Sequence, residues 1–385
     1  MRVAYLGSRH PGSNYSGIEC VLSAMLSRLA ARGNEITVFS APLPGKAALP
    51  AMWNGIEVVA VGALNGKHTE TISRTALSLL PALRGRFDVV HFTHQGPGVF
   101  APLTRLLGIP SVVSMAGLDW QRAKWGWGAR LALRGAERLA IAHASEIITL
   151  SRGIQSYFEK SYGRQTVYIP NGLERREMPP DAALSGIGVG PDRYVLFAGR
   201  LVPEKGVHEL IEAWNGVATD MKLVVAGGGR YDDGYVRSLH ERANPERVIF
   251  TGHVEGETLA ALFGHCFLFV LPSHVEGQSV ALLEALGYGR ATLVSSIPEN
   301  TDVVGEHGFT FPVADVAALR ARLQQLAAAP DAVRAVRERV RASDAWASWD
   351  DVARMHEEVY ASVVRRRVRR HGPAGTHDVA ATGAG

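Results

Sequence analysis

Short runs of consecutive apolar residues alternate along this chain with longer stretches in which apolar residues recur every three or four positions. Val3–Leu6, Ile36–Phe39, Ile56–Val61, Val89–Phe92, Ser111–Met115 and Ile147–Leu150 are runs of the first kind. Continuous apolar runs predict strands covered on both faces, as in a parallel sheet. Between the first two, Ile18, Val21, Leu22, Met25, Leu26 and Leu29 keep helical spacing until Gly33, which predicts a helix over about residues 17–32. Gly96-Pro97-Gly98 opens a further helix ending near Leu107-Gly108, and residues 151–162 read as another. The βαβ alternation predicts a doubly wound sheet.

The pattern then breaks and restarts. Residues 173–191 are rich in proline, glycine and charge and read as a linker. Tyr194–Ala198, Leu223–Ala226, Val248–Phe250, Phe267–Leu271, Thr292–Ser295 and Phe309–Pro312 predict a second set of buried strands. Helical spacing appears at Leu210, Ile211 and Trp214, at Val280, Leu283 and Leu286, and at Leu319, Leu323 and Leu326. The expected fold class is therefore α/β, with two Rossmann-like parallel-sheet domains at residues 1–172 and 192–345. A last helix is expected over 346–364. The remainder, 365–385, is a basic run and a Gly/Ala tail expected to be disordered.

Composition narrows the class without changing the picture. Of 385 residues, 46% are apolar and 20% charged, which suits globular domains with sizeable cores. A net charge of +4 does not call for nucleic acid. No apolar run reaches the length of a membrane span, and Met1–Leu6 runs straight into a strand pattern, so no signal peptide and a cytoplasmic location are expected. Cys20 and Cys266 read as reduced core residues. No metal is expected, because His10, His68, His91, His94 and His143 lack ligand spacing.

The most informative stretch is Ser273–Arg290, a loop feeding a helix after an apolar strand. Glu276 falls in the loop and Glu284 on the helix, with Gly277, Gln278, Ser279 and Val280 between them at the helix start. A helix start offers unpaired N–H groups to an anion. Two glutamates eight residues apart are often just solvated charges, but Glu284 lies among apolar neighbours, where unpaired Glu is rare.

Glu276-x7-Glu284, with Leu-Leu-Glu-Ala around the second carboxylate, resembles the signature of retaining GT-B glycosyltransferases of family four. The resemblance implies two domains facing across a cleft and a nucleoside diphosphate sugar as substrate, with no further cofactor. It implies that Glu276 meets donor sugar hydroxyls and that Glu284 meets the ribose. Ser16-Gly17-Ile18-Glu19 is similar to the family's Gly-Gly-x-Glu loop, where Ser16 and Gly17 would approach the pyrophosphate. Arg200 and Lys205 match the pair that neutralises the diphosphate; with Glu276 they are the expected catalytic residues. His253 and Val254 fall where the family holds the base.

Gly117-Leu-Asp-Trp-Gln-Arg-Ala-Lys-Trp125 resembles a narrower branch, the bacterial capsule and cell-wall rhamnosyltransferases. It implies an acceptor side made of His94, Ala116, Asp119, Trp120, Arg122 and Lys124, with aromatic and cationic side chains for a sugar ring or a lipid pyrophosphate. Relatives carry His where this chain has Ala116, and His where it has Thr93. Loss of the ring at 116 would favour a donor lacking a 6-hydroxyl. The expected acceptor is a glycan, a polyprenyl-pyrophosphate-linked sugar or a small molecule such as a natural-product aglycone. The arginines at 365–370 add an expected peripheral contact with anionic membrane. The alternative is a non-catalytic GT-B protein that binds a sugar nucleotide or a partner.

Overall fold

The computed structural model describes residues 1–13, 17–41, 50–64, 69–121, 126–228 and 233–371. Among them, the first domain is built on strands β1 (Arg2–Leu6), β2 (Glu35–Ser40), β3 (Met52–Trp53), β4 (Ile56–Ala60), β5 (Val89–Phe92), β6 (Ser111–Met115), β7 (Glu146–Thr149) and β8 (Val167–Tyr168). Their order is β3-β4-β2-β1-β5-β6-β7-β8, and only the short β3–β4 pair is antiparallel. Helix α1 (Gly17–Ala31) covers one face of this sheet. The other face is covered by α2 (Glu70–Arg84), α3 (Ala101–Leu106), α4 (Trp127–His143) and α5 (Arg152–Tyr162). Connections that step in opposite directions along the sheet put right-handed crossovers on opposite faces.

The second domain has strands β9 (Tyr194–Ala198), β10 (Lys222–Ala226), β11 (Val248–Gly252), β12 (Leu268–Leu271), β13 (Thr292–Ser295) and β14 (Phe309–Phe311), all parallel, in the order β11-β10-β9-β12-β13-β14. Its helices are α6 (Ala182–Ser185), α7 (Val207–Asn215), α8 (Asp233–Arg242), α9 (Gly256–His265), α10 (Val280–Gly287), α11 (Pro298–Val304), α12 (Val316–Ala328) and α13 (Pro330–Ala342). β9 and β12 are buried along their whole length, which is why each reads as an unbroken apolar run. The architecture is α/β with two Rossmann-like parallel-sheet domains.

Three features differ from the sequence reading. Residues 173–191 are not a free linker: Leu173 and Leu184 are buried in the second domain's core, and Ile187 and Val189 pack against it. Leu173 N–H also donates to the Ala347 carbonyl (2.8 Å) and Arg176 N–H to the Gly287 carbonyl (3.1 Å). Helix α14 (Trp349–His371) does not stop at 364 but runs through the arginines. Arginine is a good helix former, and the first glycine after Trp349 is Gly372. Cys266 is buried but Cys20 is exposed. On α1 the buried positions are Glu19, Leu22, Met25, Leu26 and Leu29, which leaves Cys20 facing outward.

Helix α14 returns to the first domain. Trp349, Val352, Ala353, Val359, Tyr360 and Val363 share a core with α1, β1 and β5. A buried polar chain anchors it there. Tyr360 Oη pairs with Tyr5 Oη and lies 2.7 Å from His91 Nδ1, while His91 Nε2 lies 2.8 Å from Ser114 Oγ. Full burial pushes His91 well below the usual imidazole range and His356 down to about 4, so both rings stay neutral.

Candidate active site

The C-terminal ends of both sheets face one another, where open α/β sheets place their ligands. From the second domain, β9 feeds the loop of Arg200 and Lys205, and β12 feeds the loop of Glu276. The two loops are stitched together. His274 N–H donates to the Glu204 carbonyl (2.9 Å), and Lys205 Nζ pairs with Glu276 Oε1, the lysine 14% and the glutamate 8% exposed in their side chains. Gly206, between Lys205 and α7, has φ +65° and lies against the Pro272 carbonyl oxygen, leaving no room for a Cβ. Arg200 is exposed and makes no ion pair among the described residues. The structure thus unites Lys205 with Glu276 and leaves Arg200 open at the β9 end.

Behind this pair lies a cluster that the sequence did not reveal. Glu209, on the first turn of α7, is buried, and its two oxygens lie 3.0 and 2.9 Å from His274 Nε2. His208 Nδ1 is 2.9 Å from Tyr235 Oη. Glu209 and His274 tie the two loops a second time. Nothing in a Glu three residues after a Gly signals that role in sequence.

Ser279 caps α10, its hydroxyl accepting from Leu282 N–H at 3.4 Å. Gln278 Oε1 accepts from Asn171 N–H of the first domain at 2.5 Å. Gly277 lies against the Ala116 carbonyl so closely that a side chain would collide with it, and a Cβ on Gly117 would sit 3.6 Å from the Glu276 carbonyl oxygen. The Ala116 backbone therefore meets the Glu276–Gly277 turn across the cleft. Gly17 opens α1 on the same side: a Cβ there would lie 3.2 Å from Val280 Cγ2. Ser16 lies outside the described residues, as do Arg122 and Lys124, and the side chain of Asp119 is likewise not described.

Glu284 projects from α10 with 21% of its side chain exposed, and Arg176 is 3.6 Å away. Burial pushes its carboxyl above the usual range, partly offset by Arg176. Glu284 also faces α1, where burial, then Glu284, then Glu19 raise the Cys20 thiol. His253 is highly exposed and pairs with Glu255 at 2.7 Å, while Val254 is half-buried. No group of three or more His, Cys, Asp or Glu side chains suited to a metal occurs among the described residues.

The acceptor-side residues are less uniform than expected. His94 Nδ1 lies 3.2 Å from Thr93 Oγ1. Trp120 is not an open stacking face: its Nε1–H donates to Glu137 at 3.1 Å, and the Arg134 guanidinium covers the ring at 4.2 Å. Glu137 is fully buried and also accepts from Gln95 (3.1 Å), Tyr157 (2.9 Å) and Tyr162 (2.6 Å). Four donors replace the water that a buried carboxylate loses. Trp120 is thus a strut between the loop after β6 and helices α4 and α5.

The family description "Glycosyl transferase 4-like domain" matches residues 16–172, and "Glycosyl transferases group 1" matches 188–343. The chain is a GT-B glycosyltransferase of the group 1 and 4-like families. It is 27% identical over 343 residues to the GDP-mannose-dependent alpha-(1-6)-phosphatidylinositol monomannoside mannosyltransferase of Mycolicibacterium smegmatis, covering 82% of this chain and 86% of that one. Its fold is similar to that of sucrose-phosphate synthase from Thermosynechococcus elongatus, with TM-score 0.80, 20% identity and coverage of 95% and 100% of the two chains. It is also similar to HepE from Anabaena in complex with UDP and glucose, with TM-score 0.77, 19% identity and coverage of 94% and 100%. This glycosyltransferase therefore places its two parallel sheets as those enzymes do.

Proposed function

We propose that this glycosyltransferase moves a sugar from a nucleoside diphosphate donor with retention of configuration, without a metal, to a glycan or lipid-linked acceptor. The observation that carries the reading is the joined pair Lys205–Glu276, held by two stitched loops against the Ala116–Gly117 backbone of the opposite domain. In that place Lys205, with Arg200, supplies fixed positive charge to a departing diphosphate, and Glu276 stands where sugar hydroxyls need an acceptor. Glu284, half-buried on α10, takes the ribose hydroxyls. The acceptor hydroxyl attacks the anomeric carbon on the face the diphosphate leaves. As the carbon–oxygen bond to the diphosphate breaks and the new glycosidic bond forms, the acceptor proton passes to the leaving phosphate oxygen.

The donor reading is a 6-deoxyhexose such as rhamnose. It is supported by Ala116, which offers its backbone to the Gly277 turn and no ring to a 6-hydroxyl. The mycolicibacterial relative is GDP-mannose-dependent and HepE has been solved with UDP-glucose, so GDP-mannose and UDP-glucose are the donors to compare. The lipid-linked acceptor is supported by the mycolicibacterial relative, a phosphatidylinositol monomannoside mannosyltransferase.

The test is a donor panel of nucleotide-linked rhamnose, glucose, mannose and xylose, with the chelator EDTA present, read by slow donor hydrolysis and by the anomeric NMR signals of any product. Release of an α-sugar from an α-donor is expected, with rhamnose preferred. An inverted product refutes retention, loss of activity in EDTA refutes metal independence, and a clear preference for glucose refutes the 6-deoxy reading. Tight nucleotide binding with no turnover of any donor would mark a binding protein instead.

A further inference from the structure

Helices α2, α3 and α4 lie side by side on one face of the first sheet, and their outward surface is unusual in two ways. It is apolar where a soluble surface is normally polar. Leu77 and Leu80 on α2 are 54% and 55% exposed, Leu106 on α3 is 81% exposed, and Trp127 and Leu131 on α4 are 83% and 63% exposed. Its charge is also of one sign. The carboxylates of these three helices are Glu70, which is paired with Arg9 and Arg74, and Glu137, which is buried under four donors. Arg74 is buried against Glu70, whereas Arg84, Arg105, Arg130, Arg134 and Arg138 are exposed.

On α4 the two features run in parallel. Trp127, Leu131 and Leu139 share one stripe at four- and eight-residue spacing, and Arg130, Arg134 and Arg138 form the adjoining stripe at four-residue spacing. All six are exposed. An arginine can lay its stem along apolar surface and keep its guanidinium in the polar layer, and tryptophan favours the boundary between water and hydrocarbon. Scattered exposed leucines need no explanation, but a broad face on three neighbouring helices does.

We propose that this face seats the enzyme on an anionic lipid surface, with leucines and Trp127 dipping into the boundary layer and Arg130 and Arg138 on the lipid phosphates. Charge complementarity selects an anionic occupant, and exposed apolar side chains interleaved with cations on a layer of parallel helices suit a lipid boundary. No helix among the described residues is long and apolar enough to cross a membrane, so the contact is peripheral. The proposal rests on the lipid-linked acceptor reading above, and it moves the docking surface away from the arginines of α14.

The experiment is co-sedimentation of the full-length protein with vesicles of phosphatidylcholine alone and of phosphatidylcholine with phosphatidylglycerol. Binding only to the anionic vesicles, weakening as salt rises, is expected. Leu106→Asp with Leu131→Asp changes two outward side chains, so melting temperature and donor hydrolysis stay at wild-type values while the bound fraction falls by roughly tenfold or more. Arg365→Gln with Arg369→Gln should keep binding. The proposal is overturned if the wild type ignores anionic vesicles, if the leucine variant binds like wild type, or if only the α14 variant loses binding. It is also overturned if the wild type sediments as a dimer that the leucine variant splits, since the face is then a self-interface. Transfer assays with water-soluble and lipid-phosphate acceptors separate the two claims: vesicle binding with transfer only to soluble acceptors refutes the acceptor reading and leaves the docking surface standing.

Discussion

Gly206 offers a measurement that connects backbone geometry to catalysis. It sits at φ +65° between Lys205 and the first turn of α7, against the Pro272 carbonyl. Gly206→Ala meets two penalties. Holding an L-residue in the left-handed region costs about 1 kcal/mol. The new methyl also forces the Pro272 carbonyl back by about 1 Å to reach an ordinary carbon–oxygen contact. Pro272 leads into the Glu276 loop, so the retreat pulls the two stitched loops apart at Lys205–Glu276. A misplacement of that size costs roughly 10²-fold in turnover. Gly108→Ala is the control, because Gly108 has the same φ of +65° with nothing within 4 Å of a Cβ. It should lose only the backbone term, about 1 kcal/mol of stability, with turnover unchanged. Both variants are read by denaturant unfolding and by donor turnover. If Gly206→Ala turns over like Gly108→Ala, the loop contact does not hold the catalytic pair and the reasoning fails.

Two other outcomes follow from the same geometry. Glu284→Ala should weaken binding of free UDP or GDP by about tenfold, the loss of one good hydrogen-bonding partner, while Glu276→Ala leaves nucleotide binding intact and removes transfer; calorimetry with the bare nucleotides checks this, and equal loss in both variants contradicts the division of roles. The neutral buried His356 should make the fold acid-labile: its folded value of about 4 lies below the unfolded value of about 6.5, so the unfolded state takes up the proton first and stability falls as pH drops through that window, by about 3 kcal/mol at its lower end. His91 acts in the same direction. Unfolding at pH 7 and pH 4.5 in wild type and His356→Gln should show a smaller acid loss in the variant, and identical losses would mean that the ring is protonated in the folded state.

Much of the scaffold was written in local pattern. Runs such as Tyr194–Ala198 and Thr292–Ser295 read directly as strands because a strand covered on both faces has no polar side to disguise it. The loop-to-helix transition at Ser279 was visible too, from the helical spacing of Val280, Leu283 and Leu286, and the structure adds the serine cap. What failed locally failed for a tertiary reason. Residues 173–191 carry loop composition, yet Leu173 and Leu184 find a core that only the folded second domain provides. Trp120 reads as a sugar platform until Glu137, seventeen residues on, claims its indole and Arg134 covers its face. The partnership of Lys205 with Glu276, its support by Glu209 and His274, and the approach of Ala116 to Gly277 join residues from separate loops or separate domains. Sequence alone placed Lys205, Glu276 and Ala116 in loops that follow strands. Which groups touch was decided by sheet order and by the closing of one domain on the other, because packing and charge act through space while the pattern along a chain records only near neighbours.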